Sequence, residues 1–295
     1  MTIINYSIII PHKNSTKLLQ RCIDTIPYRK DIQVIIVDDN SDCNIVDFDY
    51  FPGLNEKHIE VIFTKEGKGA GYARNVGLSH AKGKWIIFAD ADDLFLDNFD
   101  EVLDIYLNSP YDIIFFKTFD SKSKLLTNYS DDIVDIERAS YFNQMWERSI
   151  EYLKFTHIVP WSKFIKKECI DKHNNHFDET MCSNDVMFSI RLALSTNSIL
   201  KSENYIYSVT KPQKTNLTSR LDFTSGKERL SVTLERNKLL QENGYSQYIA
   251  SPLGLVWKYR VIGIKATITY LSMILKSTTP LLTGFSKLLK ILLHI

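Results

Sequence analysis

Lys84-Trp85-Ile86-Ile87-Phe88-Ala89-Asp90-Ala91-Asp92-Asp93 carries this chain's most informative pattern. Its unbroken apolar run suits a strand covered on both faces, and in open α/β sheets the ligand crevice lies beyond the carboxyl ends of such strands. Three carboxylates stand at that end. Together they attract a cation. A hard divalent ion such as Mg²⁺ or Mn²⁺ takes oxygen ligands, and it completes its shell with water and substrate phosphates where few carboxylates are offered. An Asp after a strand also turns the chain and caps the next helix, so the motif has to be weighed with its neighbours.

Two other strand ends point the same way. Gln33-Val34-Ile35-Ile36-Val37 runs into Asp38-Asp39-Asn40-Ser41-Asp42, and Ser7-Ile8-Ile9-Ile10 stops at Pro11-His12-Lys13-Asn14. Between them, Leu18, Leu19, Cys22, Ile23 and Ile26 recur at helical spacing after the capping residues Asn14 and Ser15, until Pro27 ends the run. Ile59 to Thr64 reads as a strand, Ala73 to Ala81 as a helix, Phe99 to Leu107 as a helix and Asp112 to Phe116 as a strand. This alternation predicts a largely parallel, doubly wound sheet through residue 117. Beyond it come a polar loop near Ser121 to Asp132, a helical stretch from about Ile136 to Leu153, and a helix over Asp185 to Leu194.

Composition narrows the function. Lys and Arg number 36 against 35 Asp and Glu, which gives no sign of a nucleic-acid binder. The charge is unevenly spread: six cations and no acid follow Glu242, so with +1 overall the first 242 residues carry −5. Cys22, Cys43, Cys169 and Cys182 lack C-x-x-C spacing and read as reduced thiols of a cytoplasmic protein. Nothing at the N-terminus resembles a secretion signal. The histidines have no ligand spacing for zinc, and His12 has no assigned role. Gly67-Lys68-Gly69-Ala70-Gly71 matches neither a dinucleotide fingerprint nor a P-loop, and Asp90-Ala91-Asp92-Asp93-Leu94 fits an aspartyl-phosphatase signature poorly.

Ser7-Ile8-Ile9-Ile10-Pro11, Val37-Asp38-Asp39-Asn40-Ser41, Ala73-Arg74-Asn75-x-Gly77-Leu78, Phe88-x-Asp90-Ala91-Asp92-Asp93 and Asn184-Asp185-x-x-Phe188 occur in one order across residues 7 to 188. In that order and spacing the chain resembles family 2 glycosyltransferases. The resemblance implies an α/β GT-A fold, a Rossmann-like, mainly parallel twisted sheet with flanking helices, here followed by a C-terminal helical extension. It implies a catalytic domain over 1–215, with a nucleotide-sugar half at 1–117 and an acceptor half at 118–215, and an extension over 216–295. The implied activity is inverting transfer of a hexose from a nucleotide sugar, UDP-linked, to a hydroxyl of a glycan or lipid-linked glycan in cell-surface polysaccharide synthesis.

By the same resemblance Pro11, Asn14, Asp39, Arg74, Asn75 and Asp90 would line the nucleotide-sugar pocket. Asp39 would accept the imide N–H of a uracil-like base, as an acceptor-only carboxylate can. Asp92, with Asp90, would hold Mg²⁺ or Mn²⁺, and Asp185 would be the base that takes the acceptor's proton. The family commonly has Glu before that Asp; this chain has Asn184. Trp161, in a Trp-x-Lys element, and Asn184 are acceptor-side candidates, although Trp161 before an apolar strand reads rather as core. A sugar nucleotidyltransferase and a non-catalytic nucleotide- or glycan-binding relative are the competing readings. The first would need a Gly-rich basic signature after the opening strand, which Ile10 to Asn14 does not provide.

Residues 252–295 mix apolar runs with isolated lysines, broken at Pro280 and Gly284, with no run of about 18 apolar residues that would span a membrane. Two alternatives stay open: amphipathic helices in peripheral contact with the cytoplasmic face of an anionic membrane, or a helical bundle packed on the catalytic domain.

Overall fold

The computed structural model describes residues 3–119, 134–211 and 221–277. The chain divides into two compact units, one of Met1–Glu179 with Phe188–Pro212, the other of Thr180–Met187 with Gln213–Ile295. The expected boundary at 215/216, the polar loop near Ser121 to Asp132, and the breaks at Pro280 and Gly284 all lie outside the described residues.

The first unit is built on an eight-stranded sheet. Its strands are β1 (Tyr6–His12), β2 (Ile32–Asp39), β3 (Ile59–Thr64), β4 (Trp85–Phe88), β5 (Leu94–Phe95), β6 (Ile113–Thr118), β7 (Lys163–Lys166) and β8 (Ile199–Ser208), in the order β3-β2-β1-β4-β7-β6-β8-β5. The β3-β2-β1-β4 half is parallel, with Ile8 opposite Val34 on one side and Ile87 on the other. Antiparallel β7 inserts between β4 and β6. Strands β1, β2 and β4 are buried along their whole length, as the unbroken apolar runs require when helices cover both faces. Because β2 lies on one side of β1 and β4 on the other, the connections leave in opposite directions and open a crevice between the ends of β1 and β4.

Helix α1 (Thr16–Ile23) and helix α2 (Ala70–His80) follow β1 and β3, and α3 (Phe99–Tyr106) follows β5. Gly77 lets α2 lie directly on β1: a Cβ there would stand 2.4 Å from Ile9 Cγ2. Strand β1 does not stop at Ile10 but runs through Pro11 to His12, which pairs with Asp38. Ile9 O accepts from Ala89 N, so Pro11, two residues on, faces β4 where that ladder has ended, and its missing N–H costs no strand hydrogen bond.

The stretch from Ile136 is broken rather than continuous. Helix α4 (Ile136–Asn143) gives way to a 3₁₀ turn at Gln144–Glu147, and α5 (Ile150–Thr156) restarts on Ser149, whose hydroxyl accepts from Tyr152 N. Asn143 clamps both backbone groups of Thr118 with its amide, fixing the first helix end on β6. Short α6 (Lys167–Lys172) follows β7, and α7 (Asn184–Ser195) precedes β8.

In the second unit, α8 (Phe223–Glu242) begins in a capping box formed by Asp222 and Ser225. Helices α9 (Pro252–Tyr259) and α10 (Ile264–Lys276) pack on it around Leu230, Val256, Tyr259, Ala266, Tyr270 and Ile274. No described helix is long and apolar enough to cross a membrane.

Candidate active site

The turn after β4 is held by its backbone, which leaves its carboxylates to meet. Asp90 N donates to Tyr207 Oη at 2.8 Å, and Asp93 N closes the turn on Asp90 O. Asp92 O accepts from Arg21 Nη2 at 2.5 Å and Thr210 Oγ1 at 2.7 Å. The carboxylate oxygens of Asp90, Asp92 and Asp93 consequently lie within 4.8 Å of one another. Burial, then the neighbouring Asp90 charge, pushes the Asp92 carboxyl up, while Arg138 and Arg21 partly offset this. Asp93 is pushed well up by burial and by Asp92 and Asp90.

An all-oxygen cluster in which burial and neighbouring charge oppose ionisation of Asp92 and Asp93 fits a hard divalent ion. Asp93 is 3% exposed and accepts Thr210 N at 2.8 Å, so it braces the turn. Asp90 and Asp92 are the more open pair.

Helix α2 adds a cation. The buried Arg74 donates from Nη2 to Asp90 Oδ1 at 2.7 Å, and its guanidinium covers the Phe177 ring at 5.3 Å. Asn75 spends its amide on the chain itself: Nδ2 donates to Phe177 O and Oδ1 accepts Phe177 N, at 2.9 and 2.8 Å. It holds the segment on which Arg74 rests.

At the end of β2 the two acids part. Asp38 turns inward, where its Oδ1 meets His12 Nδ1 at 2.7 Å and Ser41 Oγ at 2.5 Å, and its Oδ2 accepts Ser41 N. Burial pushes this carboxyl up, but the hydrogen bonds from His12 and Ser41 outweigh it and hold the group below its ordinary range. His12 Nε2 in turn accepts Ser15 N at 3.0 Å, so the ring bridges the β2 end and the start of α1. Asn14, in the left-handed region at φ 55°, donates its N–H to Ser41 Oγ and accepts Asp42 N, tying the two loops together.

Asp39 faces the other way. Its Oδ2 accepts Gly69 N at 2.8 Å and sits 3.6 Å from Lys13 Nζ, whereas Oδ1 is buried without a hydrogen-bond partner. A buried carboxylate oxygen left open is an acceptor site held ready for a donor group. Pro11 lies buried in β1 beside this corner, opposite Val37.

The acceptor-side candidates have different surroundings. Trp161 is 1% exposed and stacks on Tyr207 with centroids 5.4 Å apart, so it supports the tyrosine that holds Asp90 N rather than offering an open face. Lys163 Nζ is buried on the carbonyls of His157 and Val159, at 2.6 Å each. Asn184 and Asp185 begin α7 and belong to the second unit, where Asn184 Nδ2 donates to Thr180 O. Tyr207, Thr210, Arg21 and the Asp38–His12–Ser41 bridge were not singled out as site residues from the sequence. Only the doubled Asp at 38 and 39 carried a signal, since successive strand residues face opposite sides.

The profile described as glycosyl transferase family 2 matches residues 7–173, more than half of the chain. A Streptococcus pneumoniae protein, glycosyltransferase GlyG, is 31% identical over 99 residues, which is 33% of each chain. The match thus spans about a third of that relative's length. The cholesterol galactosyltransferase of Borreliella burgdorferi is 26% identical over 82% of this chain and 69% of its own. Among solved structures, S. aureus TarS 1–349 in complex with UDP-GlcNAc superposes with a TM-score of 0.66 at 18% identity, covering 91% of this chain and 80% of that one. That likeness is one of fold.

Proposed function

Since the chain belongs to glycosyl transferase family 2 and has the GT-A fold, we propose that it is a metal-dependent, inverting hexosyltransferase that moves a sugar from a UDP-linked donor to a hydroxyl of a glycan or lipid-linked glycan in cell-surface polysaccharide synthesis. The observation that carries this reading is the pairing, at the ends of the two strands that flank β1, of an oxygen-only acid cluster with a buried, unpartnered Asp39 Oδ1.

In this reading residues 1–117 hold the donor and 118–215 the acceptor. Asp39 Oδ1 accepts the imide N–H of uracil and penalises a base with no donor there. Pro11 and Asn14 shape that corner, Asn75 holds the floor under Arg74, and Arg74 supplies a permanent positive charge. Asp92 and Asp90 hold Mg²⁺ or Mn²⁺, which when bound supplies Lewis-acid neutralisation of charge on the departing nucleoside diphosphate. Asp185 takes the proton of the acceptor hydroxyl as its oxygen attacks the anomeric carbon from the face opposite the leaving group. A lipid-linked acceptor brings the enzyme to the cytoplasmic face of a membrane, with peripheral contact through the C-terminal extension. TarS, which was crystallised with UDP-GlcNAc, supports the choice of UDP.

Calorimetric titration of UDP, GDP and CDP, with and without Mn²⁺, tests the reading. UDP is expected to bind more tightly with Mn²⁺, Asp92→Ala to abolish that enhancement, and Asp185→Ala to spare binding while lowering turnover about 10²- to 10⁴-fold. Absence of metal-dependent binding by every nucleotide would overturn it.

A further inference from the structure

Helix α10 buries one face and leaves an apolar stripe on another. Ala266, Tyr270 and Ile274 pack into the second unit's core. Ile264, Ile268, Leu271 and Leu275 are instead between 38 and 73% exposed. Their spacing of four, three and four residues sets them in one line along the helix. Exposed Trp257 and Val261, from α9 and the turn that follows it, add to the apolar surface of the same segment. The outer face of a helix in a globular unit is ordinarily polar, and contiguous exposed apolar surface marks a contact site.

Charge identifies what makes the contact. Lys258, Arg260, Lys265 and Lys276 are the ionisable Lys and Arg of residues 252–277, and no Asp or Glu follows Glu242 anywhere in the chain. Lys265 and Lys276 fall roughly a quarter turn from the stripe, where their stems can lie along apolar surface with the ammonium groups at its edge. Arg260 lies 3.7 Å over the Trp257 ring, which pairs a cation with an aromatic body suited to a water–lipid boundary. A second copy that met this face with its own equivalent face would bring like charges together, and residues 278–295 carry Lys287 and Lys290 without an acid. Neither supplies the complementary sign.

We propose that Trp257, Val261, Ile264, Ile268, Leu271 and Leu275 form a membrane-docking face that inserts into the headgroup–acyl boundary of an anionic phospholipid bilayer, with the flanking Lys and Arg on lipid phosphates. This face is the surface of the membrane contact in the transferase reading, on which it rests.

Co-sedimentation of the full-length protein with vesicles of phosphatidylcholine, alone or mixed with phosphatidylglycerol, tests it. Binding is expected only to the anionic vesicles and to weaken with added salt. Ile268→Glu and Leu271→Glu should each lower partitioning at least about tenfold, and Lys265→Gln about fivefold. Far-ultraviolet circular dichroism and UDP titration of the same variants should match the wild type, which separates loss of docking from misfolding and from failure of the donor site. Three results would each overturn the proposal: a wild type that ignores anionic vesicles, Glu variants that bind as the wild type does, or a wild-type dimer that the Glu variants dissociate.

Discussion

Arg74 Nη2 donates to Asp90 Oδ1 at 2.7 Å while its guanidinium lies 5.3 Å over Phe177, so one side chain ties helix α2 to the acidic turn after β4. The charged hydrogen bond and the flat face of the guanidinium are both in use. Lysine can supply the first but has no planar group to lie on the ring. Arg74→Lys should therefore keep the charge and the fold but weaken Mn²⁺-dependent UDP binding about tenfold, as read by calorimetry. Unchanged affinity would show that charge alone suffices.

Asp92 stands where burial and the Asp90 charge both oppose its ionisation. Asp92→Asn removes that repulsion and should stabilise the metal-free protein by about 1 kcal/mol, the trade common at functional sites. Mn²⁺ should raise the wild-type Tm and leave the variant's unmoved, and a chelator should reverse the wild-type shift. Equal stabilisation of both proteins by Mn²⁺ would place the ion elsewhere.

His157 is buried among Phe115, Phe142, Trp146 and Trp161, with neither ring nitrogen hydrogen-bonded. Burial, then the Lys163 charge, holds its pKa well below 6.5. The folded protein thus keeps the ring neutral while the unfolded chain protonates it, so stability is full above about pH 6.5 and is lost as the pH falls towards the folded value. Wild-type stability should drop with a slope approaching 1.4 kcal/mol per pH unit from this group. His157→Leu should remove that component and be close to neutral at pH 7.5, since no hydrogen bond is lost. Urea titrations at pH 7.5 and pH 5.5 measure the difference; parallel losses in both proteins would assign the acid sensitivity to other groups.

Gly77→Ala places a methyl 2.4 Å from Ile9 Cγ2, and helix α2 cannot yield without lifting Arg74 and Asn75. A cost of about 1–3 kcal/mol is expected. In the Ile9→Ala background the same change should cost less, and a double-mutant cycle by chemical denaturation reads that coupling. Additive losses would mean that the helix shifts as a whole.

Much of this protein was written locally. The apolar runs of β1, β2 and β4, the polar residues that end them and the helix between β3 and β4 are legible because strand and helix periods, caps and turns are set by residues a few positions apart. The Arg74-Asn75-x-Gly77 element was legible as a pattern, and Gly77 has a physical reason in the close approach of Ile9. Strand β8 was not read from the sequence: Lys201, Ser202, Glu203 and Asn204 interrupt its apolar pattern, and its pairing with β6 across some 86 residues gives no local sign.

Local pattern along the chain therefore sets the sheet's parallel half and the crevice that receives three polar strand ends. Long-range packing decided that Asp38 engages His12 and Ser41 while Asp39 keeps an open oxygen. It decided too that Asn75 grips Phe177, 102 residues away, and that Trp161 backs Tyr207 against the acidic turn. Such roles depend on which distant groups packing brings within about 3 Å of a side chain, and no period or spacing along the chain encodes that distance.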